Sequence, residues 1–395
     1  MSISINQTPA SASLAQSPII FSVLESDANI LASSSMQYVA ELTYWTGSIV
    51  VSGSSDYTLT KYPNNSDYGI FDLSKIINST LTEKLQQNQS NAVYFKARFY
   101  PQFLISGSTQ FATGSSTTSD IFCAVDGYGI FPENITSSLE DKTPLWPLMT
   151  DGPATQSFFN ADGTTASGYG RMGVWKNGIN DVYATQLIYS SSTDDNDAVP
   201  LYTNGDTSAL IQSFPIGVNE SDWVIDRTDL EWFTIQAYYA GTPVGEPLRF
   251  EVKCEQKYPN VRIKWKNRFG QFDNFNFDMV SRESFSTTKR TYQPQVGSWD
   301  SSTLSYNQYD SSVENYVSDS NQTLQVNTDW VSEDYNEIFK QLLVSDEIYW
   351  IYNSNGDIKP LAIKTSNIQF KTGVVDKLIR YTFDFDLGQN YKLIL

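Results

Sequence analysis

Short runs in which apolar and polar residues alternate are the feature that most constrains the fold of this chain. Val93, Phe95, Ala97 and Phe99 alternate with polar or amphipathic residues, and the same pattern recurs from 381 to 387. Successive side chains of a β-strand point to opposite faces, so each run predicts a strand with one buried and one solvated face. The 24 tyrosines and 22 phenylalanines also favour strands over helices.

Two segments instead repeat apolar residues at helical spacing. The first follows a candidate N-cap at Asp72, and the second follows one at Ser332. Their apolar stripes are Leu73, Ile76, Ile77, Leu81 and Leu85 in the first, and Tyr335, Ile338, Phe339, Leu342 and Leu343 in the second. The sequence therefore predicts a mainly β fold, with two or three β-sandwich-like domains and two short packed helices.

Changes in composition divide the chain into four parts. Residues 1–17 are rich in Ser, Ala and Gln and predict an extended N-terminal arm, and 18–125 predict a β domain with one helix. Residues 126–250 are dense in Gly, Asp, Asn and Ser, which indicates either a loop-rich β domain or an insertion. Residues 251–395 predict a C-terminal β domain with one helix.

The C-terminal part contains two hairpin patterns. Alternating runs at 261–265 and 275–279 flank a turn, and the pair 348–352 and 358–364 flanks Asn355-Gly356. Between the two hairpins, 281–325 is rich in Ser, Thr, Tyr and Gln, and it fits either long polar strands or loops.

The amino-acid composition excludes most kinds of catalytic site. The chain has no histidine and only two cysteines, Cys123 and Cys254, so Ser-His and Cys-His pairs and zinc sites are excluded. Carboxylates remain, but Asp126, Asp151, Asp162 and Asp273 fit turn formers better than a catalytic pair. The acidic run 194–197 lacks the pattern of an EF-hand. We predict that the protein is not an enzyme and uses no cofactor or metal.

A formal net charge of −18 bears on partners. It opposes binding to nucleic acid phosphates and to anionic membranes. No leader segment and no apolar run of about 18 residues is visible, so we expect synthesis in a cytoplasm and no membrane association.

One basic strand stands out in this acidic chain. Arg262, Lys264 and Lys266 are spaced two residues apart, which places them on one strand face. This face fits a subunit contact that docks an acidic neighbouring copy, or simply a solvated surface.

Aromatic residues that remain exposed could instead stack on sugars. The candidates are Tyr94, Tyr100, Trp146, Trp175, Tyr239 and Tyr349. A glycan-binding protein is therefore the alternative from another class, and a carboxylate glycosidase is a weaker one.

Three segments carry a resemblance to a known group of proteins. They are Tyr62-Pro63-Asn64 with Gly69 to Ile77, Trp265 to Phe277 with Asn267-Arg268-Phe269-Gly270, and Asp329-Trp330 through Ser345 together with Lys377 to Tyr381. This combination resembles virion proteins of tailed bacteriophages that infect Bacteroidetes, including flavobacterial and crAss-like phages.

The resemblance implies a structural virion component made in the host bacterial cytoplasm. We expect many copies in the tail or the neck and baseplate region, with copies of itself and other virion proteins as partners. A capsid decoration protein and a tail protein that recognises a host-surface glycan are the alternatives. The resembling motifs are structural and transfer no catalytic residue.

Overall fold

The computed structural model describes twelve stretches, with the side chains of most of their residues, and, in the middle of the chain, the backbone of seven strands. The stretches are 3–10, 12–45, 55–81, 92–105, 110–129, 258–268, 272–298, 302–333, 335–352, 358–370, 378–388 and 392–394. The chain divides into two compact units, which are described separately. The first contains Met1–Cys254 and Lys266–Asp273, and the second contains Glu255–Trp265 and Asn274–Leu395.

The first unit begins with ten strands and two helices. The strands are β1 (Ser4–Gln7), β2 (Ala12–Leu14), β3 (Ile20–Leu24), β4 (Gln37–Trp45), β5 (Tyr57–Lys61), β6 (Tyr68–Asp72), β7 (Ala92–Leu104), β8 (Phe111–Thr113), β9 (Thr117–Thr118) and β10 (Phe122–Val125). One sheet has the order β1-β3-β6, and a larger sheet has the order β2-β10-β7-β4-β5 with β8 and β9 also paired to β7.

These two sheets pack face to face around one core. Phe21 of the small sheet lies 5.3 Å from Phe99 and 5.4 Å from Phe122 of the large sheet, measured between ring centroids. All four residues of the alternating run that begins at Val93 are fully buried, as the pattern predicts. The arrangement is a β-sandwich, in which the apolar face of each sheet is removed from water by the other.

Two short helices accompany the sandwich. The one-turn helix α1 (Ala28–Leu31) is capped by Asp27, whose carboxylate accepts from the backbone N–H of Asn29. Helix α2 (Ser74–Thr80) has Leu73 as its N-cap residue rather than Asp72. The Asp72 carboxylate nevertheless accepts from the N–H of Ser74, so it still satisfies a donor at the helix start.

The segment expected as an extended arm instead belongs to the sandwich. β1 pairs antiparallel with β3, and β2 pairs in parallel with β10. Ile3, Leu14 and Ala15 are buried. The polar composition of this segment hid the few apolar residues that hold it in place.

The middle of the chain is described as backbone strands. They are β11 (Thr155–Phe159), β12 (Arg171–Trp175), β13 (Tyr183–Ser191), β14 (Asp195–Tyr202), β15 (Ile211–Pro215), β16 (Leu230–Tyr239) and β17 (Thr242–Lys253). Five form a sheet of order β11-β17-β16-β13-β14, and β12 pairs with β15. This sheet falls within the first compact unit, and the choice between a separate domain and an insertion stays a prediction.

The second unit is built on an eight-stranded sheet, in which the last residue of one strand (Lys266) and the first two of another (Phe272 and Asp273) are counted with the first unit. Its elements are β18 (Val261–Lys266), β19 (Phe272–Phe277), β20 (Arg282–Tyr292), β21 (Glu314–Asn327), β22 (Val331–Ser332), helix α3 (Tyr335–Val344), β23 (Ile348–Ile351), β24 (Ile358–Ile363), β25 (Leu378–Ile379), β26 (Thr382–Leu387) and β27 (Lys392–Ile394). The sheet has the order β19-β18-β23-β24-β26-β21-β20, with β27 also on β21, while β22 pairs with β25.

Helix α3 covers the core of this unit. Phe339 lies within 5.2 Å of three rings, those of Phe275, Tyr381 and Phe383. Trp265 and Phe277 are also fully buried. The helix therefore packs on the local sheet through the apolar stripe that its sequence shows.

The expectation of a mainly β, β-sandwich-like protein is confirmed. Both hairpin patterns also appear as adjacent strands, β18 with β19 and β23 with β24. Within the described residues, no helix combines the length and apolar character needed to cross a bilayer.

Candidate assembly surface

The basic strand predicted as a subunit contact lies largely inside the chain. β18 is an interior strand, with β19 on one side and β23 on the other. Lys264 and Lys266 are buried, with 5% and 3% of their surfaces exposed, and Arg262 is half-buried. The three residues therefore do not form the solvated basic face that their spacing suggests, and the proposed subunit contact remains untested.

Lys266 forms an ion pair within the first unit. Its Nζ donates to Asp126 Oδ2 at 3.0 Å, and both side chains are buried. Gln16 Nε2 donates to the other oxygen of Asp126 at 3.2 Å. A buried charge is costly unless it is paired and hydrogen-bonded, so this cluster satisfies a structural requirement.

The structure describes two of the four aspartates that were predicted to form turns. Asp126 and Asp273 are both buried, whereas Asp151 and Asp162 lie outside the described residues, as do the side chains of the acidic run 194–197. In the part of the chain that the structure describes, no cluster of three or more His, Cys, Asp or Glu residues is placed to hold a metal.

Among the elements whose burial the structure describes, the ribbon formed by β20 and β21 contains the most exposed strand. All eleven residues of β20 are exposed, and the strand pairs with β21 from Arg282 opposite Gln325 to Tyr292 opposite Glu314. Neither face of this strand contributes to the core. β20 thus extends the sheet without burying an apolar surface of its own.

β21 anchors the ribbon to the rest of the unit. Leu324 and Val326 are buried in the core, and the C-terminal half of β21 pairs with β26. Nearer the N-terminal end of β21, residues Val317 to Asp319 pair with β27. β21 is therefore flanked on both sides, and β20 is the strand at the margin.

Polar side chains reinforce the pairing of the two strands. The Ser284 and Thr323 hydroxyls are hydrogen-bonded at 2.5 Å, and Gln322 Nε2 donates to Glu283 Oε2 at 2.9 Å. Such contacts add small increments to a backbone ladder, each below about 1 kcal/mol. They keep β20 extended without apolar burial.

The outer edge of β20 is open. Among the described residues no strand pairs with that edge, so its outward N–H and C=O groups form a template for another strand. Charged residues stand near its ends, at Arg282, Glu283, Lys289 and Arg290, while 284–288 carry no charge. The centre therefore lacks the charged residues with which monomeric proteins protect an edge.

The sequence did not decide whether residues 281–325, which contain β20, form long polar strands or loops. A strand exposed on both faces shows no apolar alternation, so the periodicity that identifies half-buried strands is missing here. The remaining signal is the enrichment of Ser and Thr in a run without Gly or Pro from 282 to 292.

Known proteins give no further guide. A scan against protein-family models returned no match to this chain, and neither did a search of curated proteins.

Proposed function

We propose that this chain is a structural protein that assembles in multiple copies through the edge of β20, as a component of a tailed-phage particle. The observation that carries the assembly part is that no described strand pairs with the outer edge of the eleven-residue β20, which is exposed on both faces. The resemblance of three sequence segments to phage virion proteins carries the particle part. The proposed location is the tail or the neck and baseplate region.

An open edge favours association because it presents unpaired backbone groups at a fixed spacing. A strand from another molecule satisfies them with main-chain hydrogen bonds and extends the sheet. β20 itself is exposed on both faces and pairs with a neighbour on only one described edge. An added strand therefore stabilises β20 as well as joining two molecules.

The proposed occupant of this edge is β20 of a second copy, running antiparallel. A twofold axis at Thr287, the middle of the strand, pairs all eleven residues. It places Phe285 opposite Lys289 and Arg282 opposite Tyr292, so no like charges face each other. Moving the axis by one residue to Ser286 places Arg282 opposite Arg290 but also Glu283 opposite Lys289, so repulsion and attraction offset each other. The choice of Thr287 therefore depends on its pairing the whole strand.

β20 carries three basic residues and one acidic residue, whereas the whole chain has a net charge of −18. Two copies that meet along β20 bring like charges together, so charge opposes this pairing and the main-chain hydrogen bonds must carry it. The joined pair is then the repeating contact in a larger symmetric structure that includes other virion proteins.

Two features support a structural rather than an enzymatic role. The segments that carry the resemblance supply β6, α2, β18, β19 and α3, which build sheets and cores. Of the aspartates considered for chemistry, Asp126 is engaged in a buried ion pair. Both observations concern packing, and the proposal assigns no catalytic residue.

The particle assignment is tested by locating the protein. Gold-labelled antibody against the purified chain is applied to intact particles of the phage that carries its gene, and the particles are imaged by electron microscopy. Label at the tail, neck or baseplate in repeated copies is the expected result. Label on the capsid surface supports a decoration protein instead, and particles without the protein by mass spectrometry overturn the proposal.

A further inference from the structure

The segment that joins the two ribbon strands forms a cleft. The cleft has a volume of about 400 Å³, lies at the end of the ribbon, and is lined by residues 294–298, 305–307, 310, 311 and 314. Ser298 and Ser305 form an antiparallel bridge, with the Ser298 N–H donating to the Ser305 carbonyl at 2.8 Å. The cleft lies entirely within the second unit.

Gly297 fixes the turn that shapes one wall. Its φ of +80° lies in the left-handed region, which disfavours L residues with side chains. A Cβ at this position would also lie 2.7 Å from the Ser305 carbonyl oxygen. The close approach of the two segments therefore requires glycine here.

The lining combines an aromatic face with hydrogen-bonding groups. Tyr306 lines the cleft and keeps 67% of its surface exposed. Carboxylates come from Asp310 and Glu314, and carboxamides come from Gln295 and Asn307. Sugars need these two elements, because their C–H faces stack on aromatic rings and their hydroxyls need both acceptors and donors.

Hydrogen bonds hold both carboxylates in place before any ligand binds. Asp310 Oδ2 accepts from the backbone N–H of Asn307 at 3.0 Å, and Glu314 Oε2 accepts from the Tyr292 hydroxyl at 2.6 Å. The Tyr292 ring in turn lies edge-on to Tyr316, with 6.2 Å between the centroids. Groups that are already positioned cost less conformational entropy on binding.

The charge of the lining selects among ligand classes. It contains two carboxylates and neither Lys nor Arg, which opposes phosphates, sulfates and uronic acids. Calcium prefers six to eight oxygen ligands, and the described residues contain no cluster of three or more His, Cys, Asp or Glu side chains placed to hold a metal. An uncharged polyhydroxylated ligand fits the lining better than an anion or a metal ion.

We propose that this cleft binds a neutral sugar residue of a glycan. Tyr306 stacks on the sugar ring, while Asp310, Glu314 and Asn307 hydrogen-bond its hydroxyls. The cleft adjoins the end of β20 through the hydrogen bond from Tyr292 to Glu314. Its test measures glycan affinity rather than molar mass, so its failure and the failure of the assembly proposal are distinguishable. It assigns glycan recognition to residues other than the six aromatic candidates considered from the sequence.

The test uses the full-length protein on an array of neutral oligosaccharides of glucose, galactose, mannose, fucose and rhamnose, with uronic acid oligosaccharides as the charged comparison. The best neutral probe is then titrated calorimetrically against Tyr306→Ala and Tyr309→Ala. Tyr309 is the matched control, because it is a tyrosine on the same loop, 84% exposed and outside the lining.

We expect binding to a neutral probe, a loss of about tenfold or more in affinity for Tyr306→Ala, and wild-type affinity for Tyr309→Ala. Both tyrosines are largely exposed, so circular dichroism should show both variants folded. The proposal is overturned if wild-type protein binds no neutral probe, binds only the acidic probes, or loses equal affinity in the two variants.

Discussion

Lys266 Nζ lies 3.0 Å from Asp126 Oδ2, and both side chains are almost completely buried, although 140 residues separate them in the chain. Gln16 completes the cluster through the second carboxylate oxygen. The same region is tied by backbone bonds, since the Tyr128 N–H donates to the Arg268 carbonyl at 2.8 Å. Within the first unit, this cluster holds three distant stretches of sequence together.

Removing one charge of this pair should destabilise the protein strongly. Lys266→Met leaves the Asp126 carboxylate buried without its cation, and we expect a loss of about 3–5 kcal/mol in the free energy of unfolding. The double variant Lys266→Met/Asp126→Asn removes both charges of this pair, so part of the lost free energy of unfolding should be recovered. Denaturant titration of both variants measures this, and a double variant no more stable than Lys266→Met contradicts the account.

Replacing Gly69 by alanine should destabilise the sandwich. A Cβ at this position would lie 2.5 Å from Cδ2 of Tyr38. The Tyr38 ring cannot easily move, because its hydroxyl donates to the Asp67 carbonyl and accepts from the Glu25 N–H. We expect a cost of about 1–3 kcal/mol, which is typical of overpacking.

A double-mutant cycle provides the control for this effect. In a Tyr38→Ala background the obstructing ring is absent, so Gly69→Ala should cost much less than in the wild-type protein. Thermal or denaturant unfolding of the four proteins gives the coupling. Equal costs in the two backgrounds would show that the ring contact is not the cause.

Ionisation of the Tyr349 phenol should contribute to a fall in the free energy of unfolding at high pH. Burial, followed by the nearby Glu347, raises the pKa of this phenol above its ordinary value of 10.0, and its hydroxyl donates to Glu347 Oε2 at 3.1 Å. The folded protein keeps the phenol neutral while the unfolded chain ionises it. The contribution is therefore complete below about pH 10 and is lost as pH rises above that value.

Free energies of unfolding measured from pH 8 to pH 11 test this sign. Tyr349→Phe cannot ionise, so its stability should decline less steeply above about pH 10 than that of the wild type. Tyr62 is 70% exposed, which makes Tyr62→Phe the matched control. An unchanged slope in Tyr349→Phe refutes the assignment.

Sequence periodicity predicted the half-buried elements because their burial leaves a pattern. The runs at Val93 and Phe383 and the stripe of α3 show alternation or helical spacing, and each is buried on the expected side. The polar composition of residues 1–17 predicted an extended arm, but this segment forms strands in two sheets and buries Ile3 and Leu14.

Residue spacing alone predicted neither the burial of the basic strand nor the exposure of β20. The regular placement of Lys264 and Lys266 suggested a solvated face, but long-range contacts bury both, including the pairing of Lys266 with Asp126. Sequence-local patterns carry no information on a partner 140 residues away. Conversely, β20 shows no alternation because both of its faces are exposed.

The central claim is that copies of the chain join antiparallel along β20 with the axis at Thr287. In this register Phe285 faces Lys289 of the partner molecule, so the sign of a charge placed at 285 should decide assembly. Phe285 is 59% exposed, which makes substitution compatible with folding. Glu283 lies two residues away on the same strand face, so the folded monomer should tolerate Phe285→Lys better than Phe285→Glu.

The decisive measurement is the molar mass of wild-type, Phe285→Glu, Phe285→Lys and Phe285→Lys/Lys289→Glu proteins by sedimentation velocity over a range of concentrations. We predict association of the wild type, retained association in Phe285→Glu, monomers in Phe285→Lys, and restored association in the double variant. A wild type that stays monomeric at all concentrations, or variants whose association does not depend on the sign of the charge, would contradict the account.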